Sequence, residues 1–412
     1  KPLTAEQQRR TAESARLSQL PPRVSLSLCS KWCPSEKKHY DKNKERSLHL
    51  PRRLAALVWP RAKRLHALKL YRQVLAEMRA HQRLPETLMC SQQWHRINFN
   101  AVPSRAHHML KASFREHQPH RYAQYLAGLK KGGPGGSRIH STGVEPHELV
   151  LPYMNELADI HEDDTVEAQW ADMVKKLNES GSLDGALAMC DVSGSMSTPA
   201  LDKKGTCPMT VSIALSLVVA SVSKGIFKGR MLTFSEDPEW HNVSEGSLKQ
   251  QVRAAMHMRW GGSTNLDKAF QRILQVAVAA HLPAEAMPQT LFIFSDMQFN
   301  SADSRAGTAF ERMRTAFHEA GYELPRVVFW NLAAGTSTTD FPVTMDEHGT
   351  ALVSGFSPAL LKCFMRGGSF SPLSLLHDTI AHYKAEVAQE EMGDARAVQA
   401  MLEEQAQERQ GA

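Results

Sequence analysis

Three short clusters of oxygen-bearing side chains lie between residues 191 and 296 of the 412-residue chain. The first, Asp191-Val-Ser-Gly-Ser195, places one carboxylate and two hydroxyls at alternate positions, and Gly194 permits a tight turn between them. The others are Gly261-Gly-Ser-Thr-Asn265 and Ser295-Asp296. Such oxygens are hard ligands, and Mg²⁺ takes about six of them, several from water. The residues predicted to hold this ion, directly or through water, are Asp191, Ser193, Ser195, Thr264 and Asp296.

The elements around these clusters predict an α/β domain. From about residue 183, short apolar runs alternate with amphipathic segments, which indicates a mostly parallel sheet with helices on both faces. In such sheets ligands bind beyond the carboxyl ends of the strands, and the clusters at 191 and 295 directly follow predicted strands. The predicted strands are 186–190, 230–234, 290–294, 326–330 and one near 350–354, and the predicted helices are 209–222, 247–258, 266–280, 305–320 and others from 358 onward.

A purely structural interpretation of the clusters stays open. Serines can cap a turn between a strand and a helix, and aspartates can accept hydrogen bonds from backbone amides. This interpretation accounts for one cluster more easily than for three that converge on one sheet edge. The metal interpretation is therefore preferred.

The first part of the chain is helical and basic. Residues 1–150 contain 28 Lys and Arg against 10 Asp and Glu, whereas the remainder contains 21 against 33. Near-helical spacing of apolar residues over 50–81, interrupted at Pro60, predicts helices there, and 104–117 and 120–129 are further helical segments. A basic surface of this kind suits a polyanion such as RNA, bound through residues 29–140. A solvated basic face that docks on the chain's own acidic half is the alternative.

The composition shifts predict five regions. A Gly-rich connector at 130–137 and an acidic segment at 162–164 separate the helical part from the α/β part. The predicted organisation is an irregular arm over 1–28, a basic α-helical domain over 29–150, a linker over 151–182, the α/β domain over 183–385 and a polar helical tail over 386–412.

Several classes of protein are disfavoured by composition. No apolar stretch approaches the ~18–20 residues of a membrane span, so no membrane partner is expected. Six scattered cysteines do not form a disulfide framework, which favours a reducing, intracellular and cytoplasmic location. Because the sequence begins at Lys1 rather than Met, an organelle stays open.

Known catalytic patterns are missing from the sequence around the clusters. Asp191 has Ser193 two residues on, where phosphatases that form an aspartyl-phosphate carry a second Asp, and Ser193 lacks a Gly-x-Ser-x-Gly frame. The sequence also lacks a Gly-x-x-x-x-Gly-Lys-Ser/Thr phosphate loop. A non-enzymatic binding protein is therefore expected.

The three clusters resemble, position for position, the metal-ion-dependent adhesion site of von Willebrand factor A domains. The resemblance implies a Rossmann-like domain in which Ser193, Ser195 and Thr264 contact Mg²⁺ or Mn²⁺. It also implies that Asp191 and Asp296 act through waters and that a carboxylate of a protein partner fills the open position. The residues expected to border that ligand are Gly194, Ser263 and Asn265.

The wider chain resembles an uncharacterised family of plants, fungi and giant viruses that joins a helical domain to a terminal von Willebrand A-like domain. It is more distantly similar to the Ro RNA-binding proteins of the TROVE family. The resemblance implies a scaffold protein with an adhesion site, or alternatively an RNA-binding subunit of a ribonucleoprotein. The segments that carry it are 31–35, 89–94, 146–149, 191–196, 261–266, 294–298, 329–331 and 352–356.

Overall fold

The computed structural model describes ten stretches of the chain and the single positions 183, 376 and 380. The stretches are residues 29–36, 49–131, 136–154, 161–180, 185–197, 205–243, 246–258, 265–296, 306–332 and 350–355. The predicted arm, the polar tail, the helices from 358 onward, Ser263 and Thr264 lie outside them. The chain divides into two compact units. The first unit is formed by 1–102 with 112–125, and the second by 103–111 with 126–412.

A six-stranded sheet forms the centre of the second unit. The strand order is β3-β2-β1-β4-β5-β6, in which β3 runs antiparallel to β2 and all other neighbours are parallel. The predicted α/β class with a mostly parallel sheet is therefore confirmed. The strands are β1 Ala186–Asp191, β2 Arg230–Phe234, β3 Trp240–Asn242, β4 Thr290–Ser295, β5 Arg326–Asn331 and β6 Thr350–Ser354.

Helices of the second unit cover both faces of this sheet. Alternate residues of β1 point to opposite sides, so Ala188 and Cys190 join one core cluster while Leu187 and Met189 join the other. The twelve helices of the described chain are α1 Cys29–Trp32, α2 Leu50–Val58, α3 Arg64–His81, α4 Pro85–Cys90, α5 Ser104–His117, α6 Pro119–Lys131, α7 Pro146–Val150, α8 Asp164–Ser180, α9 Pro208–Val222, α10 Leu248–Met256, α11 Leu266–Ala279 and α12 Ala306–Glu319.

The two faces differ in which helices supply the core. On the first face α7, α8, α9 and α10 contribute buried residues, and on the second face α11 and α12 do so. Nearly every residue of α9 is buried, which is why its sequence is apolar on all sides rather than amphipathic. Pro208 begins this helix, where its missing N–H is tolerated.

The interval 151–182, predicted as a linker, contains a packed helix. Val166, Trp170, Met173 and Leu177 of α8 are buried in the same cluster as the first face of the sheet. Glu167 also accepts hydrogen bonds from the backbone amides of Leu248 and Lys249, at the start of α10. The domain bounds stay predictions, but α8 belongs to the core of the α/β unit.

The first unit contains the helices α1 to α4, and α2 and α3 form a helical hairpin within it. Ala55 packs with Leu68, Tyr71 and Leu75 in a small core, because these residues lie on the facing sides of α2 and α3. A second core in this unit is aromatic, and in it Phe99 packs against residues of α5 and α6. The ring centroids are 5.1 to 5.9 Å apart, and the members are Phe99, Phe114, Tyr122 and Tyr125.

In the part of the chain that the structure describes, no helix combines the length and apolar character needed to cross a membrane.

Candidate metal centre

The candidate site lies where the direction of strand progression reverses in the sheet. β1 pairs with β2 on one side and with β4 on the other. The connection after β1 leads to β2 and the connection after β4 leads to β5, so the two connections run in opposite directions along the sheet. In open α/β sheets this reversal opens a crevice at the carboxyl ends of the strands. Asp191 is the last residue of β1 and Ser295 is the last residue of β4, so both stand at that crevice.

The first predicted cluster forms a compact group around Asp191. The side chain of Asp191 is fully buried, and its Oδ1 accepts a hydrogen bond from the backbone amide of Ser193 at 2.9 Å. The hydroxyl oxygens of Ser193 and Ser195 lie 3.1 Å apart. The structure therefore brings Asp191, Ser193 and Ser195 together, as the alternating spacing predicted.

Two carboxylates are buried at this point. Asp296 directly follows β4 and is only 4% exposed. Burial, with a smaller contribution from the nearby Asp296, raises the pKa of Asp191 to about 6 against the opposing effect of hydrogen bonds from Ser295 and Ser193. Desolvation and a like charge both disfavour an ionised carboxylate. A bound cation would offset both effects.

The second cluster is described only at its last residue. The backbone amide of Asn265 donates to the carbonyl of Ser235 at 3.3 Å, which places Asn265 beside the carboxyl end of β2. Its side chain accepts a hydrogen bond from the backbone amide of Lys268 at 2.9 Å and so caps α11. Ser263 and Thr264 lie outside the described residues, and the ligand role of Asn265 stays a prediction.

Gly194 stands at an open position of the turn. It begins a 3₁₀ turn over Gly194–Ser197, and Met196 is buried beneath it. A Cβ atom on Gly194 would meet nothing within 4 Å, and its φ is not positive. The turn therefore has no backbone conformation at Gly194 that is reserved for glycine.

Two further serines, Ser295 and Ser212, contact the site, and neither was predicted to have a role there. Ser295 donates a hydrogen bond through its hydroxyl to Oδ2 of Asp191, and its position immediately before Asp296 was the available signal. Ser212 of α9 lies below the site, where its hydroxyl donates to the carbonyl of Phe294 at 3.0 Å and lies 3.2 Å from the sulfur of Cys190. Only the packing of α9 on β1 and β4 reveals this second serine.

The chemistry of the donor set fits a hard divalent cation. Within the described residues, no group of three or more His, Cys, Asp or Glu side chains could hold a metal ion. The site instead combines two carboxylates with two hydroxyls, and waters complete such a set around Mg²⁺. A soft-metal site of the zinc type is therefore not what these residues form.

Comparisons with known proteins place this chain in a family. Residues 185–407 match the family described as domain of unknown function DUF7788, and residues 3–183 match the domain of unknown function DUF2828. The first match covers more than half of the chain, which therefore belongs to the DUF7788 family.

A giant virus encodes a similar protein. The uncharacterized protein L728 of Acanthamoeba polyphaga mimivirus is 36% identical over 375 residues, which cover 88% of this chain and 61% of that protein. This chain thus spans about three-fifths of the relative's length. The giant-virus part of the predicted resemblance is confirmed, and its von Willebrand A and plant and fungal parts stay predictions.

A solved structure with distant similarity is the Ro (RSR) protein of Deinococcus radiodurans. It is 14% identical, the match covers 77% of this chain and 67% of that one, and the TM-score is 0.35.

Proposed function

We propose that this protein binds Mg²⁺ (or Mn²⁺) at the carboxyl ends of β1 and β4 and uses the ion to bind an acidic group of a partner protein. The observation that carries the proposal is the burial of Asp191 and Asp296 beside the paired hydroxyls of Ser193 and Ser195. A divalent cation would balance the negative charge of these buried carboxylates.

The charges of the expected ligands favour an ion that keeps one coordination position open for a partner. Asp191 already accepts hydrogen bonds from the Ser193 amide and the Ser295 hydroxyl, which leaves it suited to act through water. Hydroxyls are neutral ligands, so a divalent ion held mainly by Ser193, Ser195 and Thr264 retains most of its charge. A carboxylate from a partner then completes the coordination. The resemblance to the adhesion site supports the same assignment.

The surroundings of the site favour binding over catalysis. The thiol of Cys190, which precedes Asp191 in β1, is fully buried, and burial raises its pKa to about 11, so it is a poor nucleophile at neutral pH. Within the described residues, the hydroxyl of Ser193 contacts the hydroxyl of Ser195 and not an imidazole, which would be needed to activate it as a nucleophile. We therefore propose a non-enzymatic scaffold or assembly protein.

Titration calorimetry with Mg²⁺ and Mn²⁺ tests the ion. Wild-type protein is expected to bind one ion at the site, and Asp191→Asn combined with Ser193→Ala is expected to abolish that binding. Asp237→Asn is the matched control, because Asp237 is an exposed carboxylate that pairs with Lys268 at 2.8 Å. Unchanged binding in the double variant would refute the metal site.

Capture of partners from a native lysate tests the function. Partners that are lost with EDTA and with the double variant, but kept with Asp237→Asn, support metal-dependent binding. Partners that are kept by the double variant in EDTA contradict it.

Nucleic acid binding by the helical part is a second candidate function, supported by a separate observation. In the described stretch 49–102 the only acidic residues are Glu77 and Glu86, while Lys and Arg recur throughout. Retention of RNA that resists EDTA but falls steeply with salt would support it.

A further inference from the structure

The helical hairpin formed by α2 and α3 carries a dense set of cations. Within Leu50–His81 there are eight Lys and Arg residues and a single acidic residue, Glu77. Seven of the eight are exposed: Arg52, Arg53, Arg61, Lys63, Arg64, Lys69 and Arg72. We call these seven side chains the hairpin cations.

Within the described part of the chain, one of the hairpin cations pairs with an acidic side chain. Arg72 pairs with Glu36 at 3.0 Å. Across the residues that the structure describes, the other six make no ion pair and no hydrogen bond. Most cations elsewhere that touch acids do so within the second unit, as Lys111 does with Asp163 at 2.7 Å. Among the described residues, the positive charge of the hairpin thus exceeds the negative charge that contacts it.

The core of the hairpin determines which side of α3 is exposed, and therefore from which side its cations project. Ala67, Leu68, Tyr71 and Leu75 are buried against α2, so the opposite side of α3 faces outward. Tyr71 also donates its hydroxyl to the carbonyl of Pro34 at 2.9 Å. Arg64 and Arg72 are two turns apart, about 12 Å at 1.5 Å per residue. A row of cations on a rigid helix suits a repeating polyanion.

An aromatic platform lies in the same unit. The side chain of Trp32 is 74% exposed, and Nζ of Lys31 lies 5.5 Å from the centre of its ring. The segment after Trp32 runs along α3, because Arg79 donates to the carbonyl of Cys33 at 2.8 Å. Exposed aromatic rings beside cations stack on unpaired bases.

We infer that the outer side of the α2–α3 hairpin binds single-stranded nucleic acid through its phosphates, with Trp32 as a stacking platform for a base. The inference rests on the second candidate function and locates it on one surface. Contacts to phosphate carry no sequence information, so binding is expected to be tolerant of sequence.

An anionic lipid surface is the competing ligand. Leu57 and Leu65 are 76% and 82% exposed, and apolar side chains among cations are typical of proteins that lie on membranes. The seven exposed hairpin cations outnumber these two leucines, and phosphate contacts supply much of the affinity for nucleic acid, so a nucleic acid strand is the preferred ligand. Vesicles therefore form one arm of the test.

Fluorescence anisotropy with labelled oligouridine in EDTA tests the inference, with oligothymidine as the DNA arm. The hairpin variant carries Arg61→Gln, Lys63→Gln, Arg64→Gln and Lys69→Gln. The control variant carries Lys228→Gln, Arg230→Gln, Arg272→Gln and Arg314→Gln, four exposed cations of the second unit with the same total charge. EDTA separates the outcome from that of the proposed metal site.

The hairpin variant is expected to lose affinity about tenfold or more, and the control to keep most of it. The slope of the logarithm of the association constant against the logarithm of the salt concentration should also become shallower. Each lost phosphate contact on a single strand changes this slope by about 0.7, so the loss of four contacts changes it by up to about 3. Trp32→Ala is expected to weaken binding about fivefold or more without changing that slope, because the indole is neutral. Circular dichroism checks that each variant is folded.

Four results would overturn the inference. Equal losses in the two charge variants would show a dependence on net charge alone. Wild-type affinity in the hairpin variant would place the binding surface elsewhere and leave nucleic acid binding intact. A wild-type protein that binds neither oligonucleotide would refute the second candidate function as well. Preferential binding of phosphatidylserine vesicles, lost with Leu57→Ser and Leu65→Ser, would assign the surface to lipid.

Discussion

The hydroxyl of Ser295 donates a hydrogen bond to a carboxylate oxygen of Asp191, although the two residues are 104 positions apart in the chain. The bond joins the last residue of β4 to the last residue of β1. It orients the carboxylate while the Ser193 amide occupies the other oxygen at 2.9 Å. Asp191 is thus held in a fixed position by neutral donors, and its charge is left for a cation to balance.

Asp191→Asn is predicted to stabilise the metal-free protein at neutral pH. The pKa of Asp191 is raised from 3.8 to about 6, so the folded state binds this proton more tightly than the unfolded chain does. The free energy of unfolding therefore falls as pH rises through that interval, by about 3 kcal/mol. The Asn variant should lack this fall.

Urea denaturation in EDTA between pH 4 and pH 7 measures the effect, with Asp237→Asn as the control. A variant that tracks the wild type across this range would contradict the prediction. Added Mg²⁺ should stabilise the wild type and leave the Asn variant unchanged, because only an ionised Asp191 supports the ion.

Ser212→Ala is predicted to destabilise the α/β unit by about 1 to 2 kcal/mol, because a buried carbonyl loses its donor. The Ser212 hydroxyl donates to the carbonyl of Phe294 at 3.0 Å and links α9 to β4. Ser221→Ala is the control on the same helix, since its hydroxyl only bonds Leu217, one turn back. Equal midpoints of thermal unfolding for the two variants would show that the link to β4 contributes nothing.

Glu167→Ala is predicted to destabilise the protein by about 1 to 2 kcal/mol, as expected for the loss of a helix cap. Its carboxylate accepts from the amides of Leu248 and Lys249 at 2.7 and 3.2 Å, which satisfies two donors at the start of α10. Glu179→Ala removes an exposed carboxylate that only pairs with Lys175 on α8. That control should shift the urea midpoint little, and a comparable shift in both would argue against the cap.

His107 is predicted to make the protein sensitive to acid. The side chain is fully buried, and burial, together with His108, His140 and Lys111, lowers its pKa from 6.5 to about 4. The unfolded chain therefore takes up this proton first as pH falls. The free energy of unfolding should fall by about 3 kcal/mol between those two values.

The slope of unfolding free energy with pH measures this contribution. His107→Gln should remove it, whereas His95→Gln, at an exposed position, should keep it. Because Asp191 has the opposite slope, each variant is compared with the wild type at every pH. A His107→Gln profile parallel to that of the wild type would refute the prediction.

Most strands of the α/β unit could be predicted from the sequence, because buried parallel strands are continuously apolar. The predicted strands 186–190, 230–234, 290–294 and 326–330 all occur, and each ends within one residue of its predicted end. β3 was missed because Trp240-His-Asn242 is short and lacks an apolar run. α8 was missed as a core element because its amphipathic pattern follows an acidic segment that resembled a linker.

The sequence by itself determined which residues could hold a hard cation, because residue type fixes the ligand chemistry and the spacing of Asp191, Ser193 and Ser195 is local. Only the tertiary structure decided that Ser295 orients Asp191, that Ser212 supports the site from below and that both carboxylates are buried. These properties depend on strand order and helix packing, which bring together residues far apart in the chain. Burial, and with it the raised pKa of Asp191, is a property of the assembled core and cannot be read from any single segment.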